Sequence, residues 1–127
     1  MIGKIYCSVV PYYDVLKKAN SFKARPVLIL GKSDAGDYVV LPISRVTKSA
    51  NISAEYDIPV IPSQYPLLNL KALSYIRVHK QTTIHSASID KMISDMKSNY
   101  LDLYLSVLTK LEQYNNTLMT NALTPTC

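Results

Sequence analysis

The stretch that decides the fold is "RPVLILGKSDAGDYVVLPIS", residues 25 to 44. Two runs of β-favouring residues, "RPVLIL" and "YVVLPIS", flank "GKSDAGD". The Gly31, Asp34 and Gly36 of that connection suit a tight reversal, so the two runs should be antiparallel neighbours. Proline cannot donate a ladder hydrogen bond, which sends Pro26 to a strand start or an edge. Lys23 and Arg25 stand just ahead of the apolar run, at the point where a strand would leave solvent and enter a core.

Working towards the N-terminus, "KIYCSVV" at residues 4 to 10 is rich in β-formers and reads as a first strand. Between it and the hairpin, "PYYDVLKKANS" opens on a proline and ends in polar residues. It reads as a long loop with room for one helical turn. Towards the C-terminus, "RVTKSANISAEY" reads as a polar loop and "DIPVIP" as a short strand bounded by prolines. A last strand is expected from about Ala72 to His79, its alternation putting Tyr75, Arg77 and His79 on one face and Ser74, Ile76 and Val78 on the other. From Ile89 the apolar spacing becomes helical through Met92, Ile93, Met96, Tyr100, Leu103, Tyr104, Val107, Leu108 and Leu111, with Ser86 or Ser88 available as N-cap. That predicts one long amphipathic helix ending near Tyr114, followed by a polar, frayed tail over 115–127. The sum is a mainly β fold with a C-terminal helix: a small, curved antiparallel sheet or barrel with the helix packed on it, in one domain over 1–114.

The 127 residues are 48% hydrophobic and 18% charged, with no internal repeat and no run approaching the ~20 apolar residues of a membrane span. The N-terminus lacks the pattern of a secretion signal, so a soluble, cytoplasmic protein with no membrane partner is expected. Cys7 and Cys127 are too far apart in sequence to form a metal-ligand pair, and both are expected to be free thiols. With only two histidines, His79 and His85, and no acidic cluster beside them, no metal or other cofactor is expected. Fourteen Lys and Arg against nine Asp and Glu give a net charge of +5, which suits a polyanionic partner and serves equally well for solubility.

The order "GKIY", "KARPVLIL", a hairpin into "VVLPIS", "IRVHKQTTI" and a terminal amphipathic helix resembles the MazF/PemK family of toxin endoribonucleases. The resemblance runs to about Tyr114, and its most specific elements are "RPVLIL" and "RVHKQTTI". It implies a homodimer of SH3-like barrels that cuts single-stranded mRNA without a metal, at short sequence motifs. The products would carry 2′,3′-cyclic phosphate and 5′-hydroxyl ends. It further implies neutralisation by a cognate acidic antitoxin, with DNA bound only through the antitoxin complex. RNA supplies its own nucleophile, the 2′-hydroxyl, so the protein needs only a base, an acid and donors for the phosphorane charge.

By that resemblance the catalytic residues would be Arg25, Ser44, Arg77 and His79. Arg25 matches the arginine of the Arg-Pro strand and would hold the reacting phosphate. Arg77 and His79 match an Arg and Asp pair proposed as acid and base, with histidine in place of the acid. Ser44 falls where a threonine often contacts the phosphate. Lys23, Phe22, Lys80, Gln81, Thr82 and Thr83 would bind substrate, and Tyr12, Tyr13, Lys17 and Lys18 of the first loop could add stacking and charge. His85 reads as a structural turn residue. The chain departs from the family in lacking glycine between its first two strands. A non-catalytic SH3-like nucleic-acid-binding module, or a related toxin acting on DNA gyrase, are the competing readings.

Overall fold

A computed structural model describes residues 1–125, with the side chains of Val10, Pro11 and Tyr12 outside the described ones. Cys127 and the end of the tail therefore lie outside the described residues, as does the side chain of Tyr12. The described residues form seven strands: β1 (Lys4–Asp14), β2 (Ala19–Asp34), β3 (Asp37–Ser44), β4 (Asp57–Val60), β5 (Ser74–Arg77), β6 (Thr82–His85) and β7 (Ile89–Asp95). Two helices follow, α1 (Met96–Asn99) and α2 (Leu101–Leu123). Every pairing is antiparallel, in the order β4-β5-β3-β2-β1-β7, with β6 also paired to β3. The result is a curled, half-barrel sheet with a C-terminal helix.

The expected β2–β3 hairpin forms, running from Val27 opposite Pro42 to Asp34 opposite Asp37, but its turn is shorter than expected: Gly31 lies within β2, and only Ala35 and Gly36 separate the strands. Pro26 is interior to the long β2 strand rather than at its start. On the β3 side, however, it is the first residue beyond the ladder, where its missing N–H costs nothing.

The expected loop between the first two strands is instead a continuation of both. β1 and β2 stay paired from Ile5 opposite Leu28 out to Asp14 opposite Ala19. Asp14 makes this reversal possible without glycine: its Oδ1 accepts from the backbone N–H groups of Leu16 (3.0 Å) and Lys17 (3.2 Å), and Lys18 takes the positive φ of 53°.

The predicted helix start is also corrected, because residues Ile89–Asp95 form β7 on the edge of β1. Two register shifts interrupt that pairing, and each bulge breaks the period of two. The apolar spacing Ile89, Met92, Ile93, Met96 thereby mimics a helix. Neither Ser86 nor Ser88 caps the helix. Asp95 caps α1, its Oδ1 accepting from the N–H of Ser98 at 3.1 Å. At the other end α2 runs on past Tyr114 to Leu123, so residues 115–123 of the expected frayed tail are helical, and they are exposed.

The sheet is packed on both faces. Ile5, Leu28, Leu41, Ile43, Ile76 and Val78 meet Met96, Leu103, Tyr104 and Val107 of the helices in one cluster. Val27, Ile29, Val40 and Ile84 form a second one. Leu28 belongs to the first and its neighbours Val27 and Ile29 to the second, the alternation a strand imposes. Each fully buried aliphatic contributes about 1.5–3 kcal/mol. No helix among the described residues is long and apolar enough to cross a membrane.

A cationic cleft as candidate active site

The last predicted strand breaks at Arg77. A 3₁₀ turn, Val78–Lys80, separates β5 from β6, and both strands pair with the same edge of β3: Ile43 opposite Ile76, then Val40 opposite Thr82. Among the described residues the three residues of the turn have no ladder partner on β3. His79 is therefore not on a strand, as its alternation with Arg77 suggested. The turn nevertheless keeps the predicted sides, with Ile76 and Val78 fully buried and Arg77 and His79 half-buried.

Arg77 and His79 meet across this turn, with 3.5 Å between Nη2 of Arg77 and Nε2 of His79. Below them lies Asp57, the first residue of β4, directly opposite Arg77 in the ladder. Its side chain has no solvent exposure. Arg77 donates from Nε to Oδ1 at 3.1 Å and from Nη2 to Oδ2 at 3.3 Å, while the N–H of Ser53 donates to Oδ2 at 2.8 Å. Such a forked pair is the arrangement that offsets the desolvation of a buried carboxylate. Nη2 also donates to the carbonyl of Asn51 at 2.9 Å. The Nη1 nitrogen of Arg77 makes no hydrogen bond among the described residues and is the one left to meet a ligand.

His79 Nδ1 is buried, has no hydrogen-bond partner among the described residues and stands 3.7 Å from Oδ1 of Asp57. Both hydrogens of Nη2 are taken up by Asp57 and Asn51, and the Asp57 carboxylate beside Nδ1 favours the ring proton there, leaving the lone pair on Nε2. Burial pushes the imidazole pKa below its ordinary value of 6.5; Asp57 opposes the shift, and Arg77 and Lys80 add to it. The lowered pKa favours the neutral ring near pH 7.

Arg25 arrives from the opposite side of the cleft. Its Nη1 donates to Oγ of Ser44 at 3.0 Å, joining β2 to the last residue of β3. Arg25, Ser44, Arg77, His79 and Lys80 line one open cleft of about 470 Å³. Arg45, Thr47 and Asn51 complete its polar wall, and no carboxylate among the described residues lines it. A group with four permanent cations, a hydroxyl donor and a neutral imidazole is suited to a phosphate and to accepting a proton beside it.

The structure does not bring all the predicted residues together. Lys23 lines an adjoining cleft with Arg25. Phe22, Gln81, Thr82 and Thr83 line neither of these clefts; all four are exposed, the two threonines on β6. Tyr13, Lys17 and Lys18 lie exposed on the β1–β2 hairpin. His85, expected in a turn, is the last residue of β6 and caps the 3₁₀ turn after it, its Nδ1 accepting from the N–H of Ala87 at 3.0 Å. Sequence reasoning missed Asp57, Asn51, Arg45 and Thr47. For Asp57 one signal existed: a carboxylate opening an apolar strand must find a cation if it is buried.

The helix supports the site at one remove. Tyr114 of α2 packs edge-on to Tyr56 with ring centroids 5.0 Å apart, and Tyr56 packs on His79 at 6.3 Å. No group of three or more His, Cys, Asp or Glu side chains placed to hold a metal ion occurs among the described residues. Neither a scan against models of known protein families nor a search of curated proteins finds a match to this chain.

Proposed function

We propose that the protein is a metal-independent endoribonuclease of the MazF/PemK type, a toxin that cleaves single-stranded mRNA by attack of the 2′-hydroxyl on the adjacent phosphate. The observation that carries this reading is the meeting of Arg25 and Ser44 with Arg77 and His79 in one cleft without a carboxylate. His79 Nε2 takes the 2′-hydroxyl proton; Arg25, Ser44 and the Nη1 of Arg77 hold the non-bridging oxygens as charge builds on phosphorus. The 5′-oxygen leaves and is protonated from water in the open cleft, giving a 2′,3′-cyclic phosphate and a 5′-hydroxyl. DNA, lacking the nucleophile, is not cut. On this reading the curled sheet is an SH3-like barrel, the active form is a homodimer, and an acidic antitoxin neutralises it, DNA being bound only by that complex.

A second reading draws on the pairing of Arg77 with Asp57, since an arginine already neutralised also serves as a purely structural strut in a nucleic-acid-binding module. Incubation with a long unstructured RNA in excess EDTA, followed by end-group mapping, separates the two. Discrete cuts with cyclic phosphate ends, lost in His79→Ala, support the nuclease. Intact RNA from a folded protein overturns it, and inhibition of gyrase supercoiling by that same protein would point to a toxin with another target.

A further inference from the structure

A second cleft of about 470 Å³ opens on the other side of Arg25 and shares Arg25, Ser44 and Arg45 with the first. Building on the ribonuclease reading, we propose that this second cleft is a subsite for the nucleotide next to the scissile one in single-stranded RNA, with its phosphate on Lys71 and Lys91 and its base against Leu70 and Ile93.

Four features of the cleft support the assignment. It is contiguous with the candidate active site, so a chain held at Arg25 must pass into one or both clefts. Its cations come from separate parts of the fold: Lys23 from β2, Arg45 from beyond β3, Lys71 from the loop before β5 and Lys91 from β7. No carboxylate among the described residues lines it, which leaves the cleft positively charged. Pro26, Leu70 and Ile93 give it an apolar patch. Cations beside an apolar patch suit an unpaired base with its phosphate, and the volume falls within the roughly 300–1,000 Å³ typical of small-ligand sites.

The cleft is also held in shape. Asn69 adopts a left-handed backbone with φ of 58°, and its Nδ2 donates to the carbonyl of Ile93 at 2.9 Å. That bond ties the loop carrying Leu70 and Lys71 to β7, which carries Lys91 and Ile93, so the two walls keep their spacing before a ligand arrives.

The test uses random-sequence oligonucleotides of two and six residues with 2′-fluoro sugars, which cannot be cut. Binding is read by fluorescence anisotropy, for the wild type and for Lys71→Ala/Lys91→Ala. Both lysines are exposed, so the variant folds, and circular dichroism checks this. The hexamer should bind the variant about 10-fold more weakly, with a salt slope lower by about 0.7 for the one phosphate no longer held, while the dinucleotide, which has no phosphate beyond the one at Arg25, changes less than about 2-fold.

A second readout is the thiol of Cys7, which lines this cleft. Its alkylation, followed by mass spectrometry separately from that of Cys127, should slow with bound hexamer but not with dinucleotide. Unchanged hexamer affinity in the variant together with unprotected Cys7 would overturn the subsite. So would loss of affinity for a polyglutamate peptide alone, which would assign the cleft to an acidic protein segment. Because the probes are uncleavable, the subsite is tested apart from catalysis. Hexamer binding that protects Cys7 in a protein that leaves RNA intact would remove the nuclease and keep the nucleotide site.

Discussion

Arg77 and Asp57 face each other in neighbouring strands and are joined by two hydrogen bonds, of 3.1 and 3.3 Å, over a carboxylate with no solvent exposure. The pair anchors the candidate base, because the guanidinium that binds Asp57 also stands against Nε2 of His79.

Breaking this pair from the acid side should be costly. Asp57→Ala leaves a half-buried guanidinium without its counter-ion and the N–H of Ser53 without its acceptor, so a loss of about 3 kcal/mol in urea unfolding is expected. Replacing both partners, as Asp57→Leu with Arg77→Met, should recover part of that loss because no charge is then stranded. A double variant less stable than Asp57→Ala would contradict the account.

The imidazole sets a pH dependence with a definite sign. His79 has a pKa lowered from 6.5, chiefly by burial, so between its folded pKa and 6.5 the unfolded chain binds more protons than the native one. Stability should therefore rise with pH through this window and fall on acidification from 6.5 to the lowered pKa. His79→Gln removes the effect. Urea midpoints measured from pH 7.5 to pH 5 should drop further for the wild type than for the variant; parallel curves would sink the argument. Cleavage, needing neutral imidazole, should lose rate as the pH falls through the lowered pKa.

How much of this was legible in the sequence depended on whether the information was local. The β2–β3 hairpin was readable because Asp34 and Gly36 sit between two uninterrupted β-rich runs. The long β1–β2 hairpin was not: its reversal rests on two hydrogen bonds to Asp14 and a positive φ at Lys18, a non-glycine position. β7 was hidden by bulges that turn a strand period into an apparent helical one. In the site, Arg25, Ser44, Arg77 and His79 were named and do meet, but Asp57 was not. Its role comes from a cross-strand register between residues twenty positions apart, which nothing in either segment alone encodes.

Ser44 offers a milder perturbation of the cleft. Its Oγ accepts from Nη1 of Arg25, and Ser44→Ala removes that tether without leaving a gap of any size. Stability should change by less than about 1 kcal/mol, because the arginine end remains half-exposed and can be hydrated. Cleavage should slow roughly 10-fold, about the worth of one hydrogen bond to a charged group. Ser44→Thr should retain most of the rate. Equal losses in both variants, followed in single-turnover cleavage, would show that the tether is not what matters.

Gly36 tests how the hairpin is joined to the turn before β7. Its φ of 77° is a conformation that favours glycine, and a Cβ there would sit 3.0 Å from Nε2 of His85. His85 cannot withdraw freely, since its Nδ1 accepts from Ala87 and the carbonyl of Gly36 accepts from the N–H of Ser86 at 2.7 Å. Gly36→Ala should therefore cost about 1–2 kcal/mol from backbone strain, plus a further amount from displacing the imidazole. His85→Ala removes the steric part and leaves the strain. In a double-mutant cycle by urea denaturation, Gly36→Ala should be less damaging in the His85→Ala background by at least ~0.5 kcal/mol. Strict additivity would mean that backbone strain alone explains the glycine.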